Sequence, residues 1–515
     1  MRRCLICINA PRTVGTMVRT LLAPLSALLF LAGCAGLPGG VERPHSSALA
    51  GTGDTRLGRS LAAATAANPG RTGVHALDNA RDAFAARVLL AHPAERSLDV
   101  QYYIWHNDTT GALMCEAVWL AAERGVRVRL LLDDNNTRGM DEAIAALDAH
   151  PSVEVRLFNP YANRGFRLGE LLTDFARVNR RMHNKSLTAD NQASIVGGRN
   201  VGDEYFGADS PVEFTDLDVL AVGAVVSEVS SSFDAYWNSE SAYPAASLIA
   251  APPTRIPWEK VHESPEAARY LEAVRATPLV AQLLAGKLPF EWARAHVVQD
   301  DPSKVLQPPE RSELHLLPRL LATMGEPARE LDIISPYFVP TKEGTSTLAA
   351  LAQRGVKIRV LTNSLAATDV APVHAGYAKY REELLRSGVH LYELKPSAEK
   401  DKDKRGGGSS DASLHAKTLA VDRSRIFVGS FNFDPRSARL NTEMGVVLES
   451  AALATRLSAV LDRDLASAAY EVRLSADGSL EWIEGATRHA SEPGTGLLRR
   501  LWIHFLSILP IEWLL

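Results

Sequence analysis

The sequence predicts an α/β protein: two domains with mixed sheets sandwiched by helices, related by a pseudo-twofold axis and sharing one active site. Three observations predict this. First, RSLDVQYYIWHNDTTGALMCEAVWLAAERGVRVRLLLDD (Arg96–Asp134) parallels RELDIISPYFVPTKEGTSTLAALAQRGVKIRVLTNS (Arg329–Ser364). Second, each copy reads as a strand, a loop, an amphipathic helix, the tripeptide RGV and an apolar strand, the pattern of a βαβ unit. Third, each copy is followed by His-x-Lys-x-x-x-x-Asp, as His183, Lys185, Asp190 and as His415, Lys417, Asp422. Asp99 maps to Asp332, Arg124 to Arg354 and His183 to His415, at offsets of 233, 230 and 232 residues, so the halves are near-equal copies.

In chain order, Arg2, Arg3, Arg12 and Arg19 precede the apolar run Leu21–Gly33. That run is too short to span a bilayer as an ordinary helix and is interrupted by Pro24. Residues 1–33 read as a signal peptide of lipoprotein type. Leu31-Ala32-Gly33-Cys34 resembles a bacterial lipobox, which implies that Cys34 is lipidated and becomes the new N-terminus. A plain signal peptide and an uncleaved anchor are the competing readings. The expected location is the bacterial cell envelope, as a membrane-anchored lipoprotein facing the periplasm. Ala35 in place of Asp resembles the pattern for export to the outer membrane.

Residues 34–70 form a Gly-, Pro- and Ser-rich tether. Residues 71–243 and 311–475 are the two domains, separated by a Pro- and Ala-rich, partly helical insertion, 244–310, with no counterpart in the repeat. The charged, glycine-rich stretch Glu399–Ser413 reads as a mobile loop, either a lid or a solvated connection. Residues 476–515 are a tail with an amphipathic segment, in which Arg499 and Arg500 accompany Trp502, Phe505 and Trp513. Two readings stay open for it: a helix in a membrane interface, or one packed on the core. Of four cysteines only Cys115 belongs to the folded part, so no disulfide is available, and its apolar surroundings predict a buried inert thiol.

The chemistry follows from strand period. Residues i and i+2 of an extended segment face one way, so His183 shares a face with Lys185, and His415 with Lys417. Asp190 and Asp422 fall at the turn of a strand–turn–strand and are expected to tie it by hydrogen bonds. Gly197 and Gly429 lie fourteen residues past each histidine, and Asn200 and Asn432 lie seventeen past. The glycines are expected to let backbone approach a ligand, and the asparagines to donate to phosphate. Ser430, where the first copy has Gly198, could add a hydroxyl or simply pack. Two histidines, two lysines and two asparagines at one interface make a phosphate site: one imidazole attacks phosphorus while the other moves the proton. The lysine pair carries the charge that a metal supplies elsewhere, so no metal or cofactor is required.

These motifs resemble the HKD motifs of the phospholipase D superfamily. The segments HNKSLTADNQASIVGGRNVGDEYFGA and LHAKTLAVDRSRIFVGSFNFDPRSARLNTEMG, and the closing LPIEWLL, are most similar to bacterial cardiolipin synthases of type C. The resemblance implies phosphatidyl transfer through a phosphohistidine, from one phospholipid to phosphatidylglycerol, giving cardiolipin. The donor, phosphatidylglycerol or phosphatidylethanolamine, stays open. It further implies His183 as nucleophile, His415 as general acid and base, and two histidine-orienting carboxylates, Glu443 for His183 and Asp216 for His415. Asp218 competes for the latter role. The alternatives are a phospholipase D-type hydrolase, then a nuclease, and, in another class, a non-catalytic lipid-binding lipoprotein. The net charge of −4 supplies no basic field for nucleic acid, and none is expected as a partner. A membrane surface is.

Overall fold

The computed structural model describes residues 36–208, 210, 213–249, 256–258, 261–284, 287–396 and 412–515. Cys34 lies outside them, as does the stretch Glu399–Ser413 except for its last two residues. The expected tether 34–70 is instead folded onto the body over much of its length, with a helix at Arg56–Ala67 and the Pro44 and Ser46 carbonyls accepting from the buried Arg156 and Arg129.

The N-terminal half contributes β1 (Thr72–Leu77), β2 (Ser97–Ile104), β3 (Arg127–Asn136), β4 (Val153–Phe158), β5 (Ser186–Ala189), β6 (Ala193–Gly197), β7 (Glu213–Thr215), β8 (Asp218–Gly223) and β9 (Ala242–Pro244). The C-terminal half contributes β10 (Glu291–Gln299), β11 (Glu330–Ile334), β12 (Lys357–Asn363), β13 (His390–Leu394), β14 (Ala412–Leu414), β15 (Thr418–Val421), β16 (Arg425–Gly429), β17 (Met444–Glu449), β18 (Ala469–Leu474), β19 (Leu480–Glu484) and β20 (Thr487–His489).

The order in space is β9-β4-β3-β2-β5-β6-β8-β1 in the first half and β18-β13-β12-β11-β15-β16-β17-β10 in the second, the same order position by position. The βαβ strands β2-β3-β4 and β11-β12-β13 are parallel and the other pairings are antiparallel. Parallel neighbours need a crossover, which α1 (Ala80–Ala91) precedes and α2 (Thr109–Glu123) provides in the first half. In the second half α6 (Leu316–Met324) and α7 (Thr341–Gln353) take these places, with α3 (Arg167–Thr173), α4 (Val225–Trp237) and α5 (Pro265–Arg275) between. α8 (Ala371–Ala378), α9 (Pro435–Arg439), α10 (Ala451–Ala468) and α11 (Leu497–Ile508) complete the elements that matter for the site.

β1 and β10 pair antiparallel across the pseudo-twofold, Thr72 opposite Ala293 and Val74 opposite Glu291. With β19 and β20 added beyond β18, eighteen of the twenty strands therefore form one continuous sheet among the described residues, and β7 and β14 form a separate parallel pair. This corrects the reading of 244–310 as a segment without counterpart, because β10 is the equivalent of β1 and pairs with β17 as β1 pairs with β8. TGVHAL and EWARAHVVQ share a place in the sheet but no residue pattern, so the repeat was invisible there. α5 of the same segment packs against α1: the Tyr270 ring lies edge-on to Phe84 with centroids 5.2 Å apart, and its hydroxyl donates to the Phe206 carbonyl.

The halves also meet through a buried aliphatic core that joins Val196 and Val219 to Ile426, Val428 and Val446. The mapped aspartates have a structural use. Arg129 donates to Asp99 at 2.7 and 2.8 Å, and Arg359 to Asp332 at 2.7 and 2.9 Å, a buried bidentate pair at equivalent points of each sheet. Cys115 is buried in α2, and burial pushes its thiol up to about 12. No helix of the described residues is long and apolar enough to cross a membrane.

Candidate active site

Each motif occupies a β-hairpin, β5–β6 or β15–β16, closed by a two-residue turn. Asp190 and Asn191 have φ of 51° and 50°, and Asp422 and Arg423 have 52° and 51°. Two successive left-handed residues match the right-handed twist of a hairpin, and Asp and Asn tolerate that region better than other non-glycine residues. The aspartates do more than tie their own turn. Asp190 accepts from the backbone N–H of Glu95, Arg96 and Ser97 at 3.0, 2.7 and 3.0 Å. Asp422 accepts from Ala328, Arg329 and Glu330 at 2.9, 2.7 and 2.9 Å. Each thus clamps its hairpin to the start of the neighbouring strand, β2 or β11. Neither enters the reacting centre, so the motif supplies four chemical side chains rather than six.

The histidines are placed by the opposite half. The His183 amide donates to the Thr442 carbonyl and the His415 amide to the Thr215 carbonyl, both at 2.8 Å. For His415 this bond extends the short parallel pair β7–β14, which joins the halves. The next residue in each case is the carboxylate. Nδ1 of His183 lies 2.8 Å from Oε2 of Glu443, and Nδ1 of His415 lies 2.6 Å from Oδ2 of Asp216. All four residues are buried. Asp218 is committed elsewhere, to Arg87 at 2.9 Å and Arg199 at 3.2 Å. With Nδ1 held by a carboxylate, each imidazole keeps Nε2 for chemistry. Lys185 Nζ donates to the His183 carbonyl at 2.5 Å, and Lys417 Nζ donates to the His415 carbonyl.

Burial dominates the electrostatics. It pulls His183 down to about 4 and His415 down to about 3, helped by the adjacent lysine charges and opposed by the carboxylates. Burial likewise lowers Lys417 to about 8 and takes Lys185 well below its usual range. Glu443 and Asp216 are held below the ordinary carboxylate range by their histidines, against their own burial. Four bases held down by desolvation and mutual repulsion form a site that gains most from an anion, since a phosphodiester between them opposes both causes.

Two expectations need correction. Ser430 does not offer its hydroxyl to a ligand: it donates to Glu443 Oε2 and accepts from the Met444 amide at 3.0 Å. The glycines admit protein rather than ligand. A Cβ at Gly197 would lie 2.1 Å from Asp218 Oδ1, one at Gly198 2.2 Å from Asp216 Oδ1, and one at Gly429 2.5 Å from the Met444 carbonyl oxygen. The Gly198/Ser430 difference between the copies then has a cause: Asp216 occupies the space that a side chain at 198 would need, while Glu443 leaves room for a serine that binds it. The asparagines are buried; Asn200 Oδ1 accepts from the Ile104 amide at 3.1 Å, while its Nδ2, the atom expected to donate to phosphate, has no hydrogen-bond partner among the described residues.

The sequence reading missed other members. Tyr103 stands edge-on to His183 with centroids 4.9 Å apart, and Tyr205 does the same to His415 at 5.2 Å. Phe214 flanks His415 at 5.0 Å. Asp300 holds Glu443 from behind. Its Oδ2 accepts from the Glu443 amide at 2.7 Å and its Oδ1 from Lys304 Nζ at 2.9 Å, and burial pushes its carboxyl up to about 6. Asp300 follows β10, in the stretch where the repeat is illegible, and no motif marked it.

The family described as "Cardiolipin synthase, PLD-like domain" matches residues 90–237 and 320–465, which include all four histidines and lysines. "Cardiolipin synthase C" of Escherichia coli (strain K12) is 46% identical over 478 residues, covering 89% of this chain and 100% of the relative. "Cardiolipin synthase A" of Pseudomonas aeruginosa (strain LESB58) is 27% identical over 76% of this chain and 67% of its own length. Among solved structures, the phosphatidylserine synthase of Haemophilus influenzae Rd KW20 superposes with a TM-score of 0.54 at 13% identity, over 89% of this chain and 100% of that one, which shows a shared fold. Both copies of the motif lie within the matched segments, and the chain belongs to the cardiolipin synthase family of PLD-like proteins.

Proposed function

We propose that this protein is a phosphatidyltransferase that makes cardiolipin from phosphatidylglycerol and a second phospholipid. One observation carries the mechanism: the crossed pairing of each imidazole with a carboxylate of the other half. Nε2 of His183 attacks the donor phosphorus, and the bond from phosphorus to the headgroup oxygen breaks. His415 gives that oxygen a proton from Nε2, and the freed alcohol leaves. A terminal hydroxyl of phosphatidylglycerol then gives its proton to His415 and attacks the phosphohistidine, releasing His183. With phosphatidylglycerol as donor the products are cardiolipin and glycerol. Lys185 and Lys417 balance the charge on the phosphoryl oxygens.

The role assignment is supported by the carboxylates. Asp216 makes the shorter bond, 2.6 Å, and its charge raises His415 against the burial and lysine charges that lower it, as a proton-carrying histidine requires, although His415 still ends lower, at about 3, than His183, at about 4. Glu443 shares the same oxygen between His183 and Ser430, which leaves it less charge for an imidazolium and suits the nucleophile. Transfer in preference to hydrolysis is supported by the burial of both histidines behind Tyr103, Tyr205 and Phe214.

Membrane contact is part of the same reading. α11 buries only a narrow edge, Ile503 and Leu506, against Leu365 and Ala375. Leu498 is 83% exposed and Trp502 52%, with Leu501, Phe505 and Ile508 also exposed. The two sequence readings of this helix thus describe its two faces. Leu168 and Leu172 on α3, with Phe166 and Phe175 beside it, are exposed as well. Such faces suit a lipid interface. Lipidation of Cys34 and a periplasmic location complete the proposal.

The test is purified protein with labelled phosphatidylglycerol, with and without phosphatidylethanolamine. Cardiolipin and released headgroup are expected. Phosphatidic acid alone would replace transferase by hydrolase.

A further inference from the structure

Cardiolipin formation brings two phosphodiesters to one site. The donor's is attacked. The acceptor's is not, yet it lies only three carbons from the hydroxyl that attacks. His183, Lys185, His415 and Lys417 answer the first anion and leave the second without a partner.

Arg181 has what the second requires. It is 3% exposed, and its Nε and Nη2 have no hydrogen-bond partner. Its Nη1 lies 3.3 Å from Asp133 Oδ1, while the other oxygen of Asp133 accepts from the Met182 amide at 2.8 Å. A buried guanidinium with two idle donors is costly to maintain unless something else takes them up.

Its place relative to the reaction follows from the backbone. The Arg181 carbonyl accepts from the Thr442 amide at 2.9 Å and the His183 amide donates to the Thr442 carbonyl at 2.8 Å, so residues 181–183 are extended. Arg181 and His183 therefore lie on the same side of the segment. Tyr103 lines the His183 side, its ring meeting His183 edge-on at 4.9 Å and Lys185 Nζ at 5.3 Å, while the Arg181 guanidinium lies 5.3 Å from the Tyr161 ring centroid. The C-terminal half holds Ser413 at the equivalent position, so this group breaks the pseudo-symmetry on the His183 side only. Two like phosphodiesters in different roles call for such a difference between otherwise matching halves.

We propose that Arg181 binds the phosphodiester of the acceptor phospholipid, in a second lipid-phosphate subsite beside the reacting one. The proposal rests on the phosphatidyl-transfer reading above. A fork of idle N–H donors fits a phosphodiester, whose two free oxygens carry the charge.

The experiment sets two acceptors against each other in one reaction. Full-length protein receives labelled phosphatidylglycerol in mixed micelles containing methanol, and the ratio of cardiolipin to phosphatidylmethanol is measured. Methanol carries no phosphate. Arg181→Gln is expected to lower the ratio about 10-fold or more, and Arg181→Lys to restore part of it. The ratio is internal to each sample, so partial unfolding of a variant leaves it fixed. An unchanged ratio in Arg181→Gln, including a proportional loss of both products, overturns the subsite and leaves Arg181 as the structural partner of Asp133. If the wild-type protein forms neither product, the transferase reading itself falls and takes the subsite with it.

Discussion

At the residue scale the chemistry rests on Nδ1 of each histidine. Replacing Glu443 by Gln or Asp216 by Asn keeps the shape and removes the charge that fixes tautomer and imidazolium. Each is expected to lower kcat about 10²- to 10⁴-fold with little change in melting temperature, by steady-state transfer assay. The pH profile follows from the same groups. Lys417 loses its charge above about 8, so kcat/KM should fall on the alkaline side of that value, and Lys417→Arg should move that limb upward. The histidines and lysines were legible in the sequence because the repeat marks them twice, whereas the two orienting carboxylates were legible only through the family resemblance. The true use of Ser430 was not, since it depends on how far Glu443 reaches from the facing strand.

At the element scale the hairpins carry the site and the aspartates carry the hairpins. Asp190→Ala removes an acceptor used by three backbone N–H groups. It is expected to cost roughly 2–4 kcal/mol of stability in denaturant unfolding, while the activity of the remaining folded protein persists. The exposed face of α11 makes a separate prediction. In a Cys34→Ser background, which removes the proposed acyl anchor, Trp502→Glu with Phe505→Glu should abolish sedimentation with phospholipid vesicles and preserve turnover of short-chain lipid in micelles. β10 shows where element reading from sequence stops: strands equivalent in a sheet need share only equivalent pairing partners, and β1, of 6 residues, and β10, of 9, share no residue pattern.

At the scale of the whole molecule the halves are one catalytic unit. His183→Ala and Glu443→Gln act on one imidazole from different halves, so their combined effect on kcat should be no larger than that of His183→Ala alone. Stability should also depend on pH with a definite sign. An unfolded chain takes up protons on these histidines near 6.5, while the folded protein resists until about 4 for His183 and 3 for His415. Their contribution is present in full above 6.5 and is lost as pH falls from there toward 4. Melting temperatures at pH 7.5 and 5 measure it, and His415→Gln should flatten the difference.

The sequence by itself determined the doubled α/β architecture and the four bases, because each is recorded twice at a near-constant offset and strand period turns spacing into facing; the two carboxylates came only with the family resemblance. Only the tertiary structure decided how the two records combine. Glu443 and Asp216 reach Nδ1 of the facing histidines as the resemblance implied, Asp218 goes instead to Arg87 and Arg199, β10 joins two sheets into one, and Arg181 stands without an equal in the second half. These are mostly relations between segments more than one hundred residues apart in the chain, set by sheet register and by the space each side chain leaves its neighbour, and no local pattern encodes them.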